Sequence, residues 1–329
     1  MKTFVNVNPR DVRHALTVIR QTRQDGHTAT LTGGGSDVLQ LMKERIITPD
    51  VLVNLKAIGG LDQVKSKSGG LTIGGLTTLS AVARHAGVRK QYAVLAEAAE
   101  SVATPQIRNV GTLAGNVCQR PWCWYFRNGF PCLKNGGRTC FSVTGENEFH
   151  AIFGGGPSYI VHPSDTAPAL VALDARFRIA GSSGERVIPA ADFFALPTKD
   201  PARENVLAPD EMLVEVSLPA ATRGTRSTYH KVLDREAWTH AVVGAAVVLE
   251  MDGDVCRRAR IVLSGVAPIP WRVPDAEQLL AGQRVTPELA ARVGEAAVAG
   301  ARPLAKNGYK VPLTNAVVRR TLTELAARA

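Results

Sequence analysis

The chain has 329 residues, which is long enough for two domains of ordinary size, each with its own apolar core. Its 45% hydrophobic and 21% charged residues are typical of a globular protein and exclude collagen-like, coiled-coil and disordered chains. The net charge of +10 favours an acidic partner, but the basic residues are scattered and no nucleic-acid recognition motif accompanies them. We therefore expect no nucleic-acid partner.

The sequence predicts neither a membrane span nor an export signal. The longest apolar run, Ala241 to Leu249, is far shorter than the roughly 18 to 20 residues that cross a bilayer. The first ten residues lack the apolar core of a signal peptide. We expect no membrane span and, by default, a cytoplasmic location.

Hydrophobic periodicity predicts helices alternating with strands in the first hundred residues. The predicted elements are a helix over 11–23, a strand over 27–32, a helix over 38–43, strands over 51–55 and 70–75, and helices between 80 and 102. Ser36 and Asp37 have the residue types that cap a helix N-terminus, and they directly precede the second helix. This half therefore has the pattern of an α+β domain.

The second half begins with irregular sequence and ends in a regular pattern. Residues 104–116 are polar and rich in glycine, and 117–157 is too long for an ordinary loop. The later predicted elements are a strand, a short helix and a strand within 159–180, with Ser164 or Asp165 as helix cap; a linker around 200–226; strands over 227–233, 241–251 and 256–266; and helices over 275–282, 286–301 and 315–329. We predict an α+β domain over 1–220 and a three-strand, three-helix domain over 225–329.

Three consecutive glycines, Gly33, Gly34 and Gly35, lie at the first strand-to-helix junction. Glycines at such a turn let backbone amides approach a pyrophosphate, and the helix N-terminus adds partial positive charge. The stretch from Thr32 to Asp37 matches neither the GxGxxG nor the Walker pattern, so a plain tight turn explains it equally well.

A second glycine-rich stretch, 104–116, has the sequence TPQIRNVGTLAGN. Gly111 and Gly115 permit close backbone approach, and Thr112 and Asn116 offer a hydroxyl and an amide. Two such loops in one domain favour a phosphate-bearing ligand.

Four of the five cysteines lie in the irregular stretch 117–157, which we call the cysteine segment. Cys118, Cys123, Cys132 and Cys140 have the spacing C-x4-C-x8-C-x7-C. Four thiolates could hold zinc or an iron–sulfur cluster; the absence of a C-x2-C knuckle and the adjacent aromatic residues favour the cluster. Free thiols in an insertion remain the alternative.

Several motifs together resemble the FAD-binding subunits of the molybdenum hydroxylases, the group of xanthine dehydrogenase and carbon monoxide dehydrogenase. TGGGSDVLQLMK is similar to the family's first FAD loop, GLTIGGLTTLSAV to its GLRIGALTTL, and TPQIRNVGTLAGN to its SPQIRNVGTIGGN. HPSDTAPALVALDA, GVAPIPWR and NAVVRRTL resemble later family motifs, so the likeness covers nearly the whole chain. It implies a two-subdomain FAD-binding domain of the vanillyl-alcohol oxidase (PCMH) type, followed by the flavoprotein carboxy-terminal domain.

The resemblance also implies which residues bind FAD. They are Thr32, Gly33, Gly34, Gly35, Ser36, Asp37, Thr104, Ile107, Gly111, Thr112, Gly115, Asn116, Asp165 and Lys231. Asp165 would bind a ribityl or ribose hydroxyl, although a helix cap is its alternative role. We interpret His162 as a surface loop residue and Trp238, Trp271 and Cys256 as packing residues.

The cysteine segment resembles the subgroup that carries an additional 4Fe-4S cluster, as in periplasmic aldehyde oxidoreductases and 4-hydroxybenzoyl-CoA reductases. In some of those proteins the fourth cysteine lies just before the HPSD-like motif, where this chain has Ser158 and Tyr159. The resemblance therefore implies that Cys118 is the fourth ligand beside Cys123, Cys132 and Cys140.

The implied function is that of an electron-transfer subunit in a three-part complex. A large subunit with the molybdenum cofactor would hydroxylate an aldehyde or N-heterocycle, and a small 2Fe-2S subunit would pass electrons to FAD in this chain. A ferredoxin-like acceptor would suit the positive charge. Export to the periplasm with a signal-bearing partner is compatible with the sequence. The alternatives are a stand-alone FAD oxidase of the vanillyl-alcohol oxidase type, for which the chain lacks a substrate-capping domain, and a zinc-stabilised binding module.

Overall fold

A computed structural model of the protein describes residues 1–237 and 239–327. The strands are β1 (Val5–Val7), β2 (Ala29–Thr32), β3 (Val51–Asn54), β4 (Val64–Lys67), β5 (Gly70–Gly74), β6 (Arg176–Gly181), β7 (Gly184–Pro189), β8 (Glu211–Leu218), β9 (Thr225–Val232), β10 (Val243–Asp252), β11 (Val255–Ser264), β12 (Trp271–Arg272) and β13 (Gln283–Arg284). The helices are α1 (Val12–Gln24), α2 (Val38–Lys43), α3 (Leu79–Arg84), α4 (Ala86–Gln91), α5 (Ala93–Glu100), α6 (Pro105–Val110), α7 (Leu113–Val117), α8 (Trp124–Arg127), α9 (Thr166–Ala172), α10 (Pro274–Gln278), α11 (Pro287–Val298) and α12 (Lys310–Ala327).

The first sheet is small and parallel, with the strand order β1-β3-β2. Helix α1 begins at its N-cap Asp11, whose carboxylate accepts a hydrogen bond from the backbone N–H of His14. Its apolar face, including Ala15 and Ile19, packs with Val53 of the sheet. The predicted helix over 11–23, the strand before the glycines and the helix after them are confirmed.

The second sheet has the order β4-β5-β8-β6-β7, and β8 is central in it. The sequence prediction of a linker around 200–226 is therefore wrong for residues 211–218. Met212 and Val214 of β8 pack towards the first sheet, whereas Leu213 and Val216 pack in the main core on the other face. Residues 214–218 alternate between apolar and polar as a strand does, but the Pro-, Arg- and Ser-rich sequence on both sides of them is typical of a linker.

The third sheet has the order β12-β11-β10-β9, with β13 paired to β11, and it belongs to the carboxy-terminal half. Val247 and Leu249 of β10 face a core that α11 and α12 cover. Ala246 and Val248 on the opposite face pack in the main core, together with residues of α5 and α9. This sheet is thus buried on both sides, and its residues border the first half of the chain directly.

Two further sequence predictions differ from the structure. Residues 104–116, which look like a loop, form most of the short helices α6 and α7, because Thr104 and Thr112 cap them. The strand expected over 159–162 is not regular: its backbone bonds singly to neighbouring loops, as from His162 N to the Ala267 oxygen. Over the described residues, no helix is long and apolar enough to cross a membrane.

Candidate functional site

The two glycine-rich loops lie in direct contact. A Cβ atom on Gly34 would overlap the carbonyl oxygen of Val110, and one on Gly33 would lie 2.8 Å from Thr112 Oγ1. Gly35 has φ +76°, in the left-handed region that glycine adopts without strain. The first two glycines are therefore required by the contact between the loops, and the third by the backbone turn.

A cavity of about 760 Å³ opens beside this contact, within the range of pockets that hold small-molecule ligands. Residues 33–37 of the first loop form part of its wall, and residues of the second loop form another part. The predicted FAD-binding residues that line it are Gly33, Gly34, Gly35, Ser36, Asp37, Ile107, Gly111, Thr112, Gly115, Asn116 and Asp165. Thr32, Thr104 and Lys231 lie outside the lining, and the carboxy-terminal half contributes residues such as Ser264 and Gly265.

Asn116 braces one wall of the cavity. Its Oδ1 accepts hydrogen bonds from the hydroxyls of Ser164 and Thr166, both at 2.6 Å, and its Nδ2 donates to Gln119 Oε1. The side chain is buried, so these bonds use most of its capacity. Asn116 thus joins the second glycine loop to the start of α9.

Asp165 lies in the wall as part of a buried polar group. Lys231 Nζ is 2.7 Å from Asp165 Oδ2, and the Tyr229 hydroxyl donates to Oδ1 at 2.7 Å. Burial raises the pKa of the Asp165 carboxyl, although the ion pair with Lys231 acts in the opposite direction. The helix-cap interpretation of Asp165 is wrong, because it is the Ser164 hydroxyl that accepts a hydrogen bond from Ala167 N. Lys231 stands behind Asp165, where it also donates to the Ser101 carbonyl.

His162 is buried in the cavity wall, and its interpretation as a surface loop residue is therefore wrong. Its Nδ1 accepts from Ser164 N at 3.3 Å, and its ring packs edge-on against Phe194. Burial lowers the pKa of His162 to about 3, so its imidazole is neutral near pH 7.

Asp37 does not cap α2, although the sequence suggests that it would. Its Oδ1 is 2.7 Å from Arg127 Nη2, and its Oδ2 accepts from the backbone N–H of Arg120 at 3.0 Å. Both arginines belong to the cysteine segment. The first glycine loop is therefore bonded to that segment, a contact for which the sequence gives no signal because the residues are more than 80 positions apart.

Three of the four clustered cysteines come together. Cys123 packs with Cys132 in one small apolar cluster, and Cys132 pairs with Thr139, the residue before Cys140. Burial, together with the charges of Cys140 and Cys132, raises the pKa of the Cys123 thiol to about 11. Cys140 Sγ accepts from the backbone N–H of Tyr159 at 3.5 Å, and Cys123 Sγ lies 3.4 Å from His150 Nε2. Cys123 and His150 both line the cavity.

Cys118 is placed differently. It is half-buried against the main core, although like Cys123 it lines the cavity. Burial raises the pKa of its thiol to about 12, with no contribution from the other cysteines. The structure thus does not support the expectation that Cys118 joins the other three. Within residues 1–237 and 239–327, no group of three or more His, Cys, Asp or Glu side chains is arranged to hold a metal ion.

Two packing interpretations are confirmed. Trp271 stacks on Phe153 with ring centroids 5.3 Å apart, and Cys256 is fully buried in the carboxy-terminal core. Trp238 lies outside the described residues.

Comparison with known proteins identifies the family. Residues 2–221 match the family described as the FAD binding domain in molybdopterin dehydrogenase, and residues 228–325 match the CO dehydrogenase flavoprotein C-terminal domain. The chain belongs to this family. It is an FAD-binding, electron-transfer subunit of the molybdenum hydroxylase type and hence part of an oxidoreductase, as the sequence predicts.

Individual relatives cover almost the whole chain. The aldehyde oxidoreductase FAD-binding subunit PaoB of Escherichia coli is 37% identical over 92% of both chains. The carbon monoxide dehydrogenase medium chain of Hydrogenophaga pseudoflava is 28% identical over 97% of this chain and 96% of the relative. A solved structure of carbon monoxide dehydrogenase from the same organism superposes with a TM-score of 0.78, at 26% identity, over 99% of this chain and 98% of that one. The predicted α+β fold is confirmed.

Proposed function

We propose that the chain binds FAD in the 760 Å³ cavity, takes electrons from a 2Fe-2S small subunit and passes them to an external acceptor. The observation that carries this proposal is the convergence of both glycine loops and of Asp165 on one cavity. When bound, FAD supplies the electron-transfer chemistry, and the protein supplies position and electrostatics.

The chain's own residues would divide the binding of FAD between the two loops. Gly33, Gly34 and Gly35 line the cavity without side chains, so their backbone N–H groups could approach and bind a pyrophosphate. Thr112 and Gly115 would line the flavin side, and Asp165 would offer its carboxylate, paired with Lys231, to a hydroxyl. The neutral, buried His162 excludes water from the same wall.

The substrate would be an aldehyde, oxidised on a partner subunit that carries the molybdenum cofactor. The sequence identities support this. The chain is 37% identical to an aldehyde oxidoreductase FAD-binding subunit but only 28% identical to a carbon monoxide dehydrogenase medium chain. An aldehyde should therefore reduce the flavin only when the partner subunits are present.

The cysteine segment would hold a 4Fe-4S cluster through Cys123, Cys132 and Cys140. Their mutual proximity supports this, and so does the apolar shell of Phe126 and Phe141 around them, because a dry shell tunes cluster potentials. Cys118, which is half-buried and packs against the main core, is not included in this proposed ligand set.

The test is an absorption spectrum with flavin, iron and sulfide analysis of the anaerobically purified chain, alone and with its partner subunits. We expect one flavin per chain, about four irons, and flavin reduction by an aldehyde in the complex only. Oxidation of substrate by the isolated chain would instead support the stand-alone oxidase, and a colourless protein with one zinc would support the binding module.

The acceptor would be an acidic ferredoxin-like protein, because the chain carries a net charge of +10. We expect the rate of ferredoxin reduction by the complex to fall steeply with ionic strength, since salt screens the attraction. A small uncharged quinone serves as the control acceptor, with a flat salt profile. An equal dependence of the two reduction rates on salt would refute electrostatic steering of the acceptor.

A further inference from the structure

The first glycine loop carries a negative charge at the place where the proposed function puts a pyrophosphate. Asp37 directly follows Ser36 at the start of α2 and lines the cavity. A pyrophosphate is doubly negative near neutral pH, and like charges that face each other at a binding site cost affinity. The carboxylate must therefore be neutralised or turned away if this loop is to hold FAD.

Both requirements are met by the cysteine segment. Asp37 Oδ1 pairs with Arg127 Nη2 at 2.7 Å, and Asp37 Oδ2 accepts from Arg120 N at 3.0 Å. Both carboxylate oxygens are thus bonded to the segment. The side chains are only 8% and 18% exposed, so solvent screens this ion pair less than a surface pair.

Arg127 is itself held in one orientation. Its Nε donates to the Pro121 carbonyl at 2.8 Å, its Nη2 also donates to the Arg120 carbonyl, and its guanidinium lies 4.6 Å from the centre of the Trp122 ring. The Arg127 guanidinium is therefore fixed before any ligand binds, so ligand binding costs no further side-chain entropy at this residue.

We propose that Arg127 is a positioning residue for FAD: it neutralises Asp37 and holds it away from the pyrophosphate, which makes the cysteine segment a functional part of the flavin site. The inference rests on the proposed function, because it assumes that the first glycine loop holds the pyrophosphate. It gives the segment a role toward FAD that is independent of whether the cysteines bind iron.

The experiment measures FAD and riboflavin binding to the flavin-depleted full chain by fluorescence titration. The variants are Arg127→Met, Asp37→Asn, the double variant and Arg127→Lys, with Arg13→Met on the exposed face of α1 as control. We expect Arg127→Met to weaken FAD binding by about tenfold or more, the size expected for an unpaired like charge. Riboflavin binding should change less than about threefold, because riboflavin has no phosphate.

The double variant separates charge from packing. If Arg127 acts on the charge of Asp37, removal of that charge should restore FAD affinity to within about threefold of the unaltered chain. Arg127→Lys keeps the positive charge, so its affinity should lie between those of the Met variant and the unaltered chain. If the Met variant does not fold, Arg127→Lys still measures the effect of residue 127 on FAD affinity.

Three results would overturn the inference: an unchanged FAD affinity in Arg127→Met, a double variant as weak as the single one, or an equal loss of riboflavin and FAD binding. Failure of the unaltered chain to bind FAD would instead refute the proposed function itself. The two failures are therefore distinguishable.

Discussion

At the scale of single residues, the contact between the two glycine loops requires positions that have no Cβ atom. Gly33 and Gly34 face the backbone and side chain of the second loop at distances that no Cβ atom tolerates. The contact fixes the two loops relative to each other, which a ligand bridging both of them would need. The need for glycine here is steric and can be tested without changing any charge.

We expect Gly34→Ala to weaken FAD binding by at least about tenfold, because the added Cβ would collide with the Val110 carbonyl and separate the loops. FAD titration and thermal unfolding would measure the effect. Gly59→Ala is the matched control, since an added Cβ there meets open space. Equal FAD affinity in both variants would contradict the bridging role of the loop contact.

A second residue-scale prediction concerns the pH dependence of stability. Burial lowers the pKa of His162 from its usual 6.5 to about 3, so below pH 6.5 the unfolded chain binds a proton that the folded chain does not. The contribution of this histidine to stability is complete above that pH and is lost as the pH falls towards 3. For one such proton, the free energy of unfolding falls by about 1.4 kcal/mol per pH unit.

Unfolding measured between pH 7 and pH 4 should therefore show a shallower pH dependence in His162→Gln than in the unaltered chain. His240, whose pKa burial also lowers, to about 4, keeps part of the slope. The unaltered chain, measured under the same conditions, is the reference. If the His162 variant and the unaltered chain show equal slopes, His162 is protonated without cost in the folded protein.

The residues that sequence reasoning misplaced share one physical cause. His162 and Asp165 lie on either side of Pro163 in a short polar stretch, which is typical of a loop and a helix cap. Their burial comes from Phe194, Tyr229 and Lys231, which reach them from elsewhere in the chain. Contacts between residues distant in the sequence do not change which residue types occur locally, so the local sequence does not predict them. The glycine loops were predictable because a close backbone contact permits only glycine.

At the scale of elements, the cysteine segment is the unusual part of the fold. It contains only the short helix α8 and single turns, yet it is fixed by the buried ion pairs of Lys134 and Arg120 with Glu204 and of Arg127 with Asp37. The predicted four-cysteine set becomes a group of three because Cys118 ends α7 and is drawn into the main core with that helix.

This difference predicts unlike effects for two conservative substitutions. Cys132→Ser should abolish bound iron, because it removes one of three grouped thiols, and should leave flavin bound. Cys118→Ser should keep the iron and lower the midpoint of thermal unfolding, since it places a hydroxyl in an apolar core. Iron analysis with absorption spectra of both variants gives the answer, and iron loss in the Cys118 variant would restore Cys118 as a ligand.

Elements were predictable wherever one face is apolar and the other polar. Helix α1 and the hairpin of β10 and β11, which turns at residues 252–254, appear where periodicity and turn residues predict them. Strand β8 was missed because the Pro- and Arg-rich sequence on either side of it is typical of a linker, and helices α6 and α7 were missed because they are short and capped by threonines in a glycine-rich stretch.

At the scale of the whole molecule, the carboxy-terminal half holds the end of the cysteine segment against the cavity. Asn307 is fully buried, and its Nδ2 donates to the His150 carbonyl at 3.0 Å and to the Ala151 carbonyl at 3.3 Å. Lys310 Nζ donates to the carbonyls of Phe149 and Gly265. Since His150, Phe149 and Gly265 line the cavity, both halves of the chain shape one site.

Asn307→Ala should therefore affect both stability and flavin binding. It leaves two buried carbonyls without these donors, at a cost of about 1–3 kcal/mol each in the free energy of unfolding, and it frees residues 149–151 at the cavity wall. Lys306→Ala, which removes only the exposed ion pair with Glu146, should leave the free energy of unfolding almost unchanged. Denaturant unfolding and FAD titration of both variants would test this.

A destabilised Asn307 variant with unaltered FAD affinity would mean that the Asn307 hydrogen bonds stabilise the fold without shaping the cavity. Loss of both stability and FAD affinity would show that the carboxy-terminal half determines the form of the flavin site.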